Sequence, residues 1–506
     1  MPYDVALVFL GAFVVASVLY GATTTRPERT LYACLIVWAF VPKALRIIYL
    51  APRAQDWPIG VSIFTVLQAA TFAGVLAALV RNRPRSAPNV RSFYALAYAY
   101  GATAVLSIVV PIIMCEHDRS LDLTRLWDLI DATVEPQERW LEAANLLYGG
   151  IFALGVVRFL RRQDQVNVVF AIFVLSGIEL SLEWLLLFRI GLVSAVSQWV
   201  SVQGRFYSLT HNSYDVVPMV EILSIAGALY FAMSTKKKAY LFLVPLMMPP
   251  IFSSYERGSI LAFTVCIVSA IWMWGKGYRT LAVAGVGLLY AVFLVVVNES
   301  SRTNITNMFV DVAKNDVRDY ASPDAISDRF ALWLRALDAI VYMFPLGAGP
   351  AMLRYTFSHV PMTFAHLSAA EVWDRYSQLE AGDRVTNAHN AYLEYVGNYG
   401  ALGLTIVFLA IYIPLRNARM WKRAASFGVM ADSPATATRF AAYAALAALG
   451  TRFLTDVATP PPAILLMLIY LTFPNNEIYV RAEPAEATGP GDNQEASSLP
   501  GGLCAT

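Results

Sequence analysis

Charged residues are scarce in this chain of 506 residues. Asp, Glu, Lys and Arg together make up 15% of it and hydrophobic residues 57%, whereas an average soluble protein is about 25% charged. The mean hydropathy is +0.53. This composition excludes an ordinary soluble domain and indicates a membrane protein, and the net charge of +2 gives no sign of a nucleic-acid partner.

The motifs of metal and nucleotide sites are also missing. The four cysteines are scattered without CxxC spacing, so neither a disulfide framework nor a cysteine metal site is predicted. The sequence contains no Walker loop, no Asp-x-Asp pair and no His-Glu-x-x-His helix. We therefore expect an enzyme here to work without a metal, a cofactor or a soluble nucleotide, which suits an active site on the outer face of a membrane.

Long apolar runs are what the sequence has in abundance. Because they are continuous and do not alternate with period two, they predict membrane helices rather than barrel strands. A helix of about 20 residues crosses a bilayer, so the runs predict an all-α polytopic membrane protein with about 12–14 transmembrane helices. The runs are 4–22, 31–50, 59–80, 93–114, 141–160, 166–189, 213–233, 239–253, 258–274, 280–297, 389–415, 439–456 and 460–474.

Basic clusters follow alternate runs and predict the orientation. The positive-inside rule places them in the cytoplasm, so the N-terminus is predicted outside and the C-terminus inside. These clusters lie at Arg26 and Arg29, 81–91, Arg161 and Arg162, 236–238, Lys276 and Arg279, and 416–423. The predicted organisation is transmembrane helices in 1–297, a large, mainly helical periplasmic loop in 298–388, C-terminal transmembrane helices in 389–480, and a disordered cytoplasmic tail in 481–506.

The large loop carries signals of its own. Residues 328–340 have apolar side chains at helical spacing and predict an amphipathic helix on or near the membrane. The turn-rich stretch 344–350 follows, with Gly347 and Gly349 where the backbone must bend or approach another segment closely. Seven of the eight basic residues in 298–388 are arginine, whose planar fork suits diphosphate and carboxylate groups.

Three side chains stand out on physical grounds. Arg257 begins an apolar span, Arg329 begins the amphipathic helix of the loop, and His389 begins the span after the loop. All three fall at the same outer interface in the predicted topology. Two cations beside one titratable base suit a phosphorylated substrate and a hydroxyl nucleophile.

Each of these residue types also has a purely structural interpretation. An arginine at the end of a span is often a snorkelling anchor, and an interfacial histidine is often a hydrogen-bonded anchor. Gly400 and Gly403 are explained equally by close helix packing, and His359 and His366 are expected to be ordinary loop residues. Intramembrane charges that are either functional groups or paired structural groups are Glu179, Glu183, Arg452 and Asp456.

Several blocks of sequence, taken in order, point to one family. HNAYLEYVGNYGALG (389–403) has a His-Asn pair, nine further residues and then Gly-x-x-Gly. SSYERGSILAF (253–263) contains a Ser-Arg-Gly block at the start of a span, and DRFALWLRALDAIVYMFPLGAGP (328–350) contains Arg, Trp and Pro-Leu-Gly-x-Gly. With GRFYSLTHNSYDVV (204–217) upstream, this pattern resembles the bacterial O-antigen ligase and O-antigen polymerase superfamily.

The resemblance implies a metal-independent, inverting glycosyltransferase of the GT-C kind in the bacterial inner membrane, with its active site on the periplasmic face. It implies a polyprenyl-diphosphate-linked glycan as the donor. It further implies that Arg257 and Arg329 bind the diphosphate and that His389 accepts the proton of the acceptor hydroxyl or orients it. The other substrate-binding residues expected from the matching blocks are Asn390, Arg205, Arg335, Gly347 and Gly349.

The acceptor separates two activities that share this signature. Ligases transfer the glycan to a sugar of the lipid A-core, and polymerases transfer it to another lipid-linked repeat unit. The long N-terminal half and tail favour a polymerase of O-antigen or exopolysaccharide, with a chain-length regulator and a flippase as candidate partners. A glycolipid transporter is the rival from another class, but it should show internal repeats with charged residues in matching halves, and the sequence shows no such repeat.

Overall fold

In the computed structural model, the described part of the chain comprises residues 3–41, 63–82, 90–117, 136–193, 201–202, 205–210, 216–254, 257–274, 328–350, 353, 388, 390–426, 434–454 and 462–473. These ranges contain thirteen α-helices, a π-helical and a 3-10 segment, and one small hairpin. The predicted run 280–297, most of the loop 298–388 and the tail 481–506 lie outside them.

The helices account for most of the described residues. They are α1 Tyr3–Thr23, α2 Glu28–Phe40, α3 Ile63–Arg81, α4 Arg91–His117, α5 Pro136–Phe159, α6 Gln163–Glu183, α7 Val217–Ser234, α8 Leu243–Ser253, α9 Arg257–Trp274, α10 Asp328–Met343, α11 Ala391–Ser426, α12 Pro434–Phe453 and α13 Pro462–Leu471. The π-helix Trp184–Arg189 continues α6, and the strands β1 Ser201–Val202 and β2 Arg205–Phe206 pair antiparallel.

The prediction of an all-α polytopic membrane protein is confirmed. Within the described ranges, the helices long and apolar enough to cross a membrane are Ile63–Arg81, Gln163–Arg189, Val217–Ser234 and Ala391–Trp421. Shorter apolar helices accompany them, among them Lys238–Ser253 and Pro462–Leu471. Large apolar side chains such as Val80 (74% exposed) and Phe408 (60% exposed) face outward, as lipid-facing surfaces require.

Helices α6 and α7 pack antiparallel because small residues let their backbones approach. Gly177 of α6 lies against Ser224 of α7, and Gly227 of α7 lies against Phe170 of α6. Such glycine and serine contacts are typical of helix pairs in membranes, where close van der Waals packing replaces the hydrophobic driving force.

The polar contacts of Gln163 identify one end of this bundle. Its amide lies 3.3 Å from Thr438 Oγ1 of α12 and also hydrogen-bonds to Tyr230 Oη of α7. From there α6 rises for about 30 Å, the length of a helix of its size, to Glu183. Helix α12 rises beside it, because Ala448 packs in the same core cluster as Val174 and Ile222.

The opposite end therefore carries the last residues of both α6 and α12. We call it the upper end and define it by Glu183, which ends α6, and Leu454, which follows α12. Helix α11 begins there and descends.

Candidate functional site

The first turn of α11 is fixed at the upper end by Asn390. The Asn390 Oδ1 atom accepts hydrogen bonds from the backbone N–H groups of Tyr392 (3.0 Å) and Leu393 (3.1 Å), which is the usual geometry of an N-cap. Its Nδ2 atom donates to the carbonyl of Leu454 at 3.4 Å, and Tyr392 Oη donates to the carbonyl of Gly450 at 3.0 Å. The side-chain amide of Asn390 thus joins the start of α11 to the end of α12.

The predicted base, His389, lies outside the described residues. Its neighbours Ala388 and Asn390 are described and are both buried. The backbone N–H of Ala388 donates to Glu394 Oε1 at 2.8 Å. The chain is therefore held on both sides of position 389.

The turn after α10 is bound to α11 by an exchange of backbone hydrogen bonds. Ala348 N–H donates to the carbonyl of Gly397 and Gly349 N–H to the carbonyl of Asn398, while Ala401 N–H donates to the carbonyl of Pro345, each at 2.8 Å. In a continuous helix Ala401 N–H would bond to Gly397, so α11 gives up internal bonds and makes bonds to the turn instead. We call residues 345–349 and 397–401 together the glycine clasp.

Glycine is required at the centre of the clasp. Gly400 interrupts α11 with φ +54° and ψ −128°, and a Cβ there would lie 2.1 Å from the carbonyl oxygen of Pro345. Gly347 has φ +81°, and a Cβ on it would lie 2.5 Å from the backbone nitrogen of Gly400. Both residues adopt left-handed backbone conformations that favour glycine, and their backbones meet directly.

Asn398 extends the clasp beyond the turn. Its Oδ1 atom accepts the backbone N–H of Leu353 at 2.8 Å, and its Nδ2 atom donates to Glu394 Oε2 at 3.4 Å. The side chain is 6% exposed. Asn398 therefore binds Leu353, which lies in the predicted loop 298–388, as well as Glu394 in the first turns of α11.

The clasp brings two of the predicted sequence blocks together. The helix predicted over 328–340 is present and continues to Met343, and the turn that follows it holds 397–401. Arg335 of this helix is buried, and its Nη1 atom lies 3.6 Å from Asp338 Oδ2. Arg329 lies in the first turn of the same helix, and its backbone alone is described.

The block around Arg257 is anchored to the end of α6. Ser253 Oγ, four residues before Arg257, accepts a hydrogen bond from Trp184 Nε1 at 2.8 Å. Phe206, next to Arg205 in β2, packs edge-to-face on Phe188 with a centroid distance of 5.6 Å. The backbones of Arg257 and Arg205 thus both lie near the upper end, where α11 also begins. For these two residues the structure describes the backbone alone.

The paired carboxylates of α6 also lie at this end. Thr210 Oγ1 is 2.7 Å from Glu179 Oε1 and 3.1 Å from Glu183 Oε1, and its single proton serves one of them at a time. Leu209 N–H donates to Glu183 Oε2 at 3.0 Å. The two carboxylates therefore anchor the segment after the hairpin, and they border an apolar groove of ≈ 510 Å³ lined mainly by leucines of α6 and its π-helical extension.

Sequence reasoning did not single out several polar groups that the fold places here. Glu394 and Asn398 are described above, and Tyr399 Oη donates to Glu142 Oε1 of α5 at 3.2 Å. A carboxylate in the first turns of a helix is common because of the helix dipole. The sequence therefore carried no signal that Glu394 reaches back out of its helix.

Two charged candidates from the sequence remain, Arg452 and Asp456. Arg452 is fully buried in α12, and Asp456 lies outside the described residues. Within the ranges that the structure describes, no three His, Cys, Asp or Glu side chains come together as a metal site would require, and the metal-free chemistry expected from the sequence stays a prediction.

Comparison with known proteins concerns the part of the chain that forms this site. Among curated proteins none matches the chain. A family model described as O-antigen ligase matches residues 242–408, a range that runs from the start of α8 through the glycine clasp and includes Arg257, Arg329 and His389. The match covers three of the four sequence blocks that carry the resemblance, and it confirms that resemblance for residues 242–408, which are similar to the O-antigen ligase family.

Proposed function

We propose that this protein is a membrane glycosyltransferase that moves a glycan from a polyprenyl-diphosphate carrier to a sugar hydroxyl. The glycine clasp is the observation that carries the proposal. It joins the turn after the arginine-bearing helix α10 to residues 397–401 of α11, the helix that begins just after position 389. This contact supports assigning the two segments, which are far apart in sequence, to one site.

The proposed chemistry is a single displacement. His389 takes the proton from the acceptor hydroxyl, and the hydroxyl oxygen attacks the anomeric carbon of the donor as the bond to the diphosphate oxygen breaks. The electron pair leaves with the polyprenyl diphosphate, and Arg257 and Arg329 stabilise its negative charge. One displacement inverts the anomeric configuration, and no step needs a metal.

The remaining site residues receive roles in this proposal. Arg205 lies beside the end of α6 and contributes to donor binding at the upper end. Gly347 and Gly349 shape the turn against which the substrate lies. Asn390 and Arg335 contribute to binding, and Asn390 also holds the start of α11 to the end of α12.

We assign the polymerase activity first, with another lipid-linked repeat unit of an O-antigen or exopolysaccharide as the acceptor. The alternative is a ligase that attaches the glycan to lipid A-core, and the description of the matched family model favours it. Supplying the purified protein with each acceptor in turn separates the two. Product that lengthens on the carrier lipid supports the polymerase, and product on lipid A-core supports the ligase.

The proposed location is the bacterial inner membrane, with the upper end at the periplasmic face and the C-terminus in the cytoplasm. Reaction of single introduced cysteines with a membrane-impermeant reagent in intact spheroplasts tests this orientation. A cysteine in place of exposed Arg189, near the upper end, should react, and one in place of exposed Lys237 should not.

The base is tested by release of polyprenyl diphosphate from a lipid-diphosphate glycan by the purified protein. His389→Ala should lower the rate by about 10²–10⁴-fold, the usual contribution of general acid–base catalysis, while expression and donor binding persist. His359→Ala, a loop histidine with no predicted role, is the matched control. Full activity in His389→Ala would overturn the proposed mechanism.

The arginines are tested in the same assay through donor KM. Arg257→Ala and Arg329→Ala should each raise it by about 10–100-fold, because charge-assisted hydrogen bonds are worth about 1.5–3 kcal/mol. Arg189→Ala removes an exposed arginine at the same end and should leave KM unchanged. Lipid-linked glycan flipping that persists in all these variants without any transfer would favour the transporter instead.

A further inference from the structure

Glu394 makes contacts that a first-turn glutamate does not need for helix stability. A carboxylate near a helix N-terminus interacts favourably with the helix dipole without leaving its own turn. The Glu394 side chain instead reaches back beyond the N-cap, where Oε1 accepts the N–H of Ala388 at 2.8 Å. Its other oxygen accepts from Asn398 Nδ2 at 3.4 Å.

These contacts hold the backbone that enters position 389. On the other side of that position, Asn390 is fixed by its hydrogen bonds to Tyr392, Leu393 and Leu454. Glu394 N–H also donates to the carbonyl of Asn390 at 3.0 Å. Position 389 therefore has a restrained neighbour before it and another after it, and Glu394 contacts both.

Glu394 also links this backbone to the glycine clasp. Its partner Asn398 accepts Gly349 N–H with its backbone carbonyl and Leu353 N–H with its side chain, both at 2.8 Å. The connection from the turn after α10 to Ala388 consequently passes through two side chains, Asn398 and Glu394.

Resting on the function proposed above, we propose that Glu394 is a positioning residue for the base at 389. It fixes the backbone of Ala388, the residue before the base, relative to the clasp. Misplacement of a reacting group by about 1 Å can cost about 10²-fold in rate, so the loss of this restraint should slow the chemical step rather than donor binding.

The test compares Glu394→Ala with Glu394→Gln in steady-state transfer from a lipid-diphosphate glycan. Alanine removes the acceptor for Ala388 N–H, so kcat should fall by about 10–100-fold while donor KM stays within about twofold. Glutamine keeps a side-chain oxygen for Ala388 while the longer contact to Asn398 is lost, so it should retain about a third or more of the wild-type kcat.

Glu28→Ala is the matched control, since Glu28 is a first-turn glutamate of α2 remote from the site. It should leave both kinetic parameters unchanged. Elution and thermal unfolding in detergent report whether each variant folds, and a folded glutamine variant keeps the test valid if the alanine variant does not fold.

The outcomes separate this inference from the function on which it rests. A wild-type kcat in Glu394→Ala beside an inactive His389→Ala overturns the positioning role and leaves the function standing. A glutamine variant as slow as the alanine variant, or a raised donor KM with unchanged kcat, also overturns the positioning role. An active His389→Ala overturns the proposed mechanism itself.

Discussion

Gly177 and Gly400 both lie in long apolar helices, and neither position has room for a Cβ. At Gly177, a Cβ would lie 2.4 Å from the Cβ of Ser224, a side-chain atom of the neighbouring helix. At Gly400, it would lie 2.1 Å from the carbonyl oxygen of Pro345, a backbone atom. Gly177 is part of a regular helix, whereas Gly400 has φ +54° and interrupts its helix.

The difference shows that glycine does two distinct jobs in this protein. In the pair of α6 and α7 it brings two intact helices close together, and each helix keeps its own hydrogen bonds. In the clasp it lets one helix open and exchange backbone hydrogen bonds with a turn from another part of the chain. The first contact stabilises the bundle, and the second assembles the candidate site.

Gly400→Ala should have the largest effect. The left-handed conformation costs a non-glycine residue about 1–2 kcal/mol, and the clash with a backbone carbonyl adds to it, so a loss of about 3–4 kcal/mol in the free energy of unfolding is expected. Unfolding in mixed micelles measures it, and glycan transfer should be lost. Wild-type stability in this variant would contradict the clasp.

Gly177→Ala should cost about 2–3 kcal/mol, the range for overpacked contacts. Because the nearest clashing atoms belong to the Ser224 side chain, the double variant Gly177→Ala with Ser224→Gly should recover part of the loss, and the contact to Glu221 Oε2 at 2.7 Å remains. No substitution at Pro345 can relieve the clash at Gly400 in the same way, because the clashing atom is a backbone carbonyl oxygen, which every residue has. A double variant no more stable than Gly177→Ala alone would show that the two positions do not meet as described.

Asn398→Ala should cost about 1–2 kcal/mol, because the buried N–H of Leu353 loses its acceptor. The backbone carbonyl of Asn398 still accepts Gly349 N–H, so the clasp itself should persist. Hydrogen exchange measures this directly: the Leu353 amide should exchange faster in the variant, while the Ala348 amide stays protected. If exchange became equally faster at both amides, the Asn398 side chain, and not the backbone hydrogen bonds of the clasp, would be what holds the turn.

Gly101→Ala should have the smallest effect. Among the residues that the structure describes, none has an atom within 4 Å of a Cβ built at this helical position. Alanine is favoured over glycine inside a helix by about 0.5–1 kcal/mol, so the same unfolding measurement should show a neutral or slightly stabilised protein. A marked loss of stability in this variant would contradict the open surroundings described for Gly101.

Part of the candidate site was visible in the sequence. The spacing in 328–350 predicted a helix and then a turn in which glycines meet another segment closely, and α10 and the clasp confirm both. The partner of that turn was not predictable. Gly400 fitted close helix packing equally well, and nothing along the chain shows that Ala401 N–H bonds to Pro345.

The roles of polar side chains near the site were harder still to predict. Glu179 and Glu183 read as a pair on one helix face, but their shared contact is Thr210, which lies in a separate segment. Glu394 looked like an ordinary first-turn carboxylate, and its bond to Ala388 depends on how the chain enters α11. Side-chain hydrogen bonds between distant segments depend on how the helices pack, and they produce no periodic pattern in the sequence.

The apolar runs alone required a bundle of membrane helices, because lipid offers no hydrogen-bond partners and a continuous apolar run must satisfy its backbone internally. The sequence also determined where the backbone had to lack side chains. Which backbone groups leave their helix, and which segment they bond to, became visible in the folded arrangement. That choice depends on two chain segments coming within hydrogen-bond distance, and distance in space is set by the packing of all the helices together.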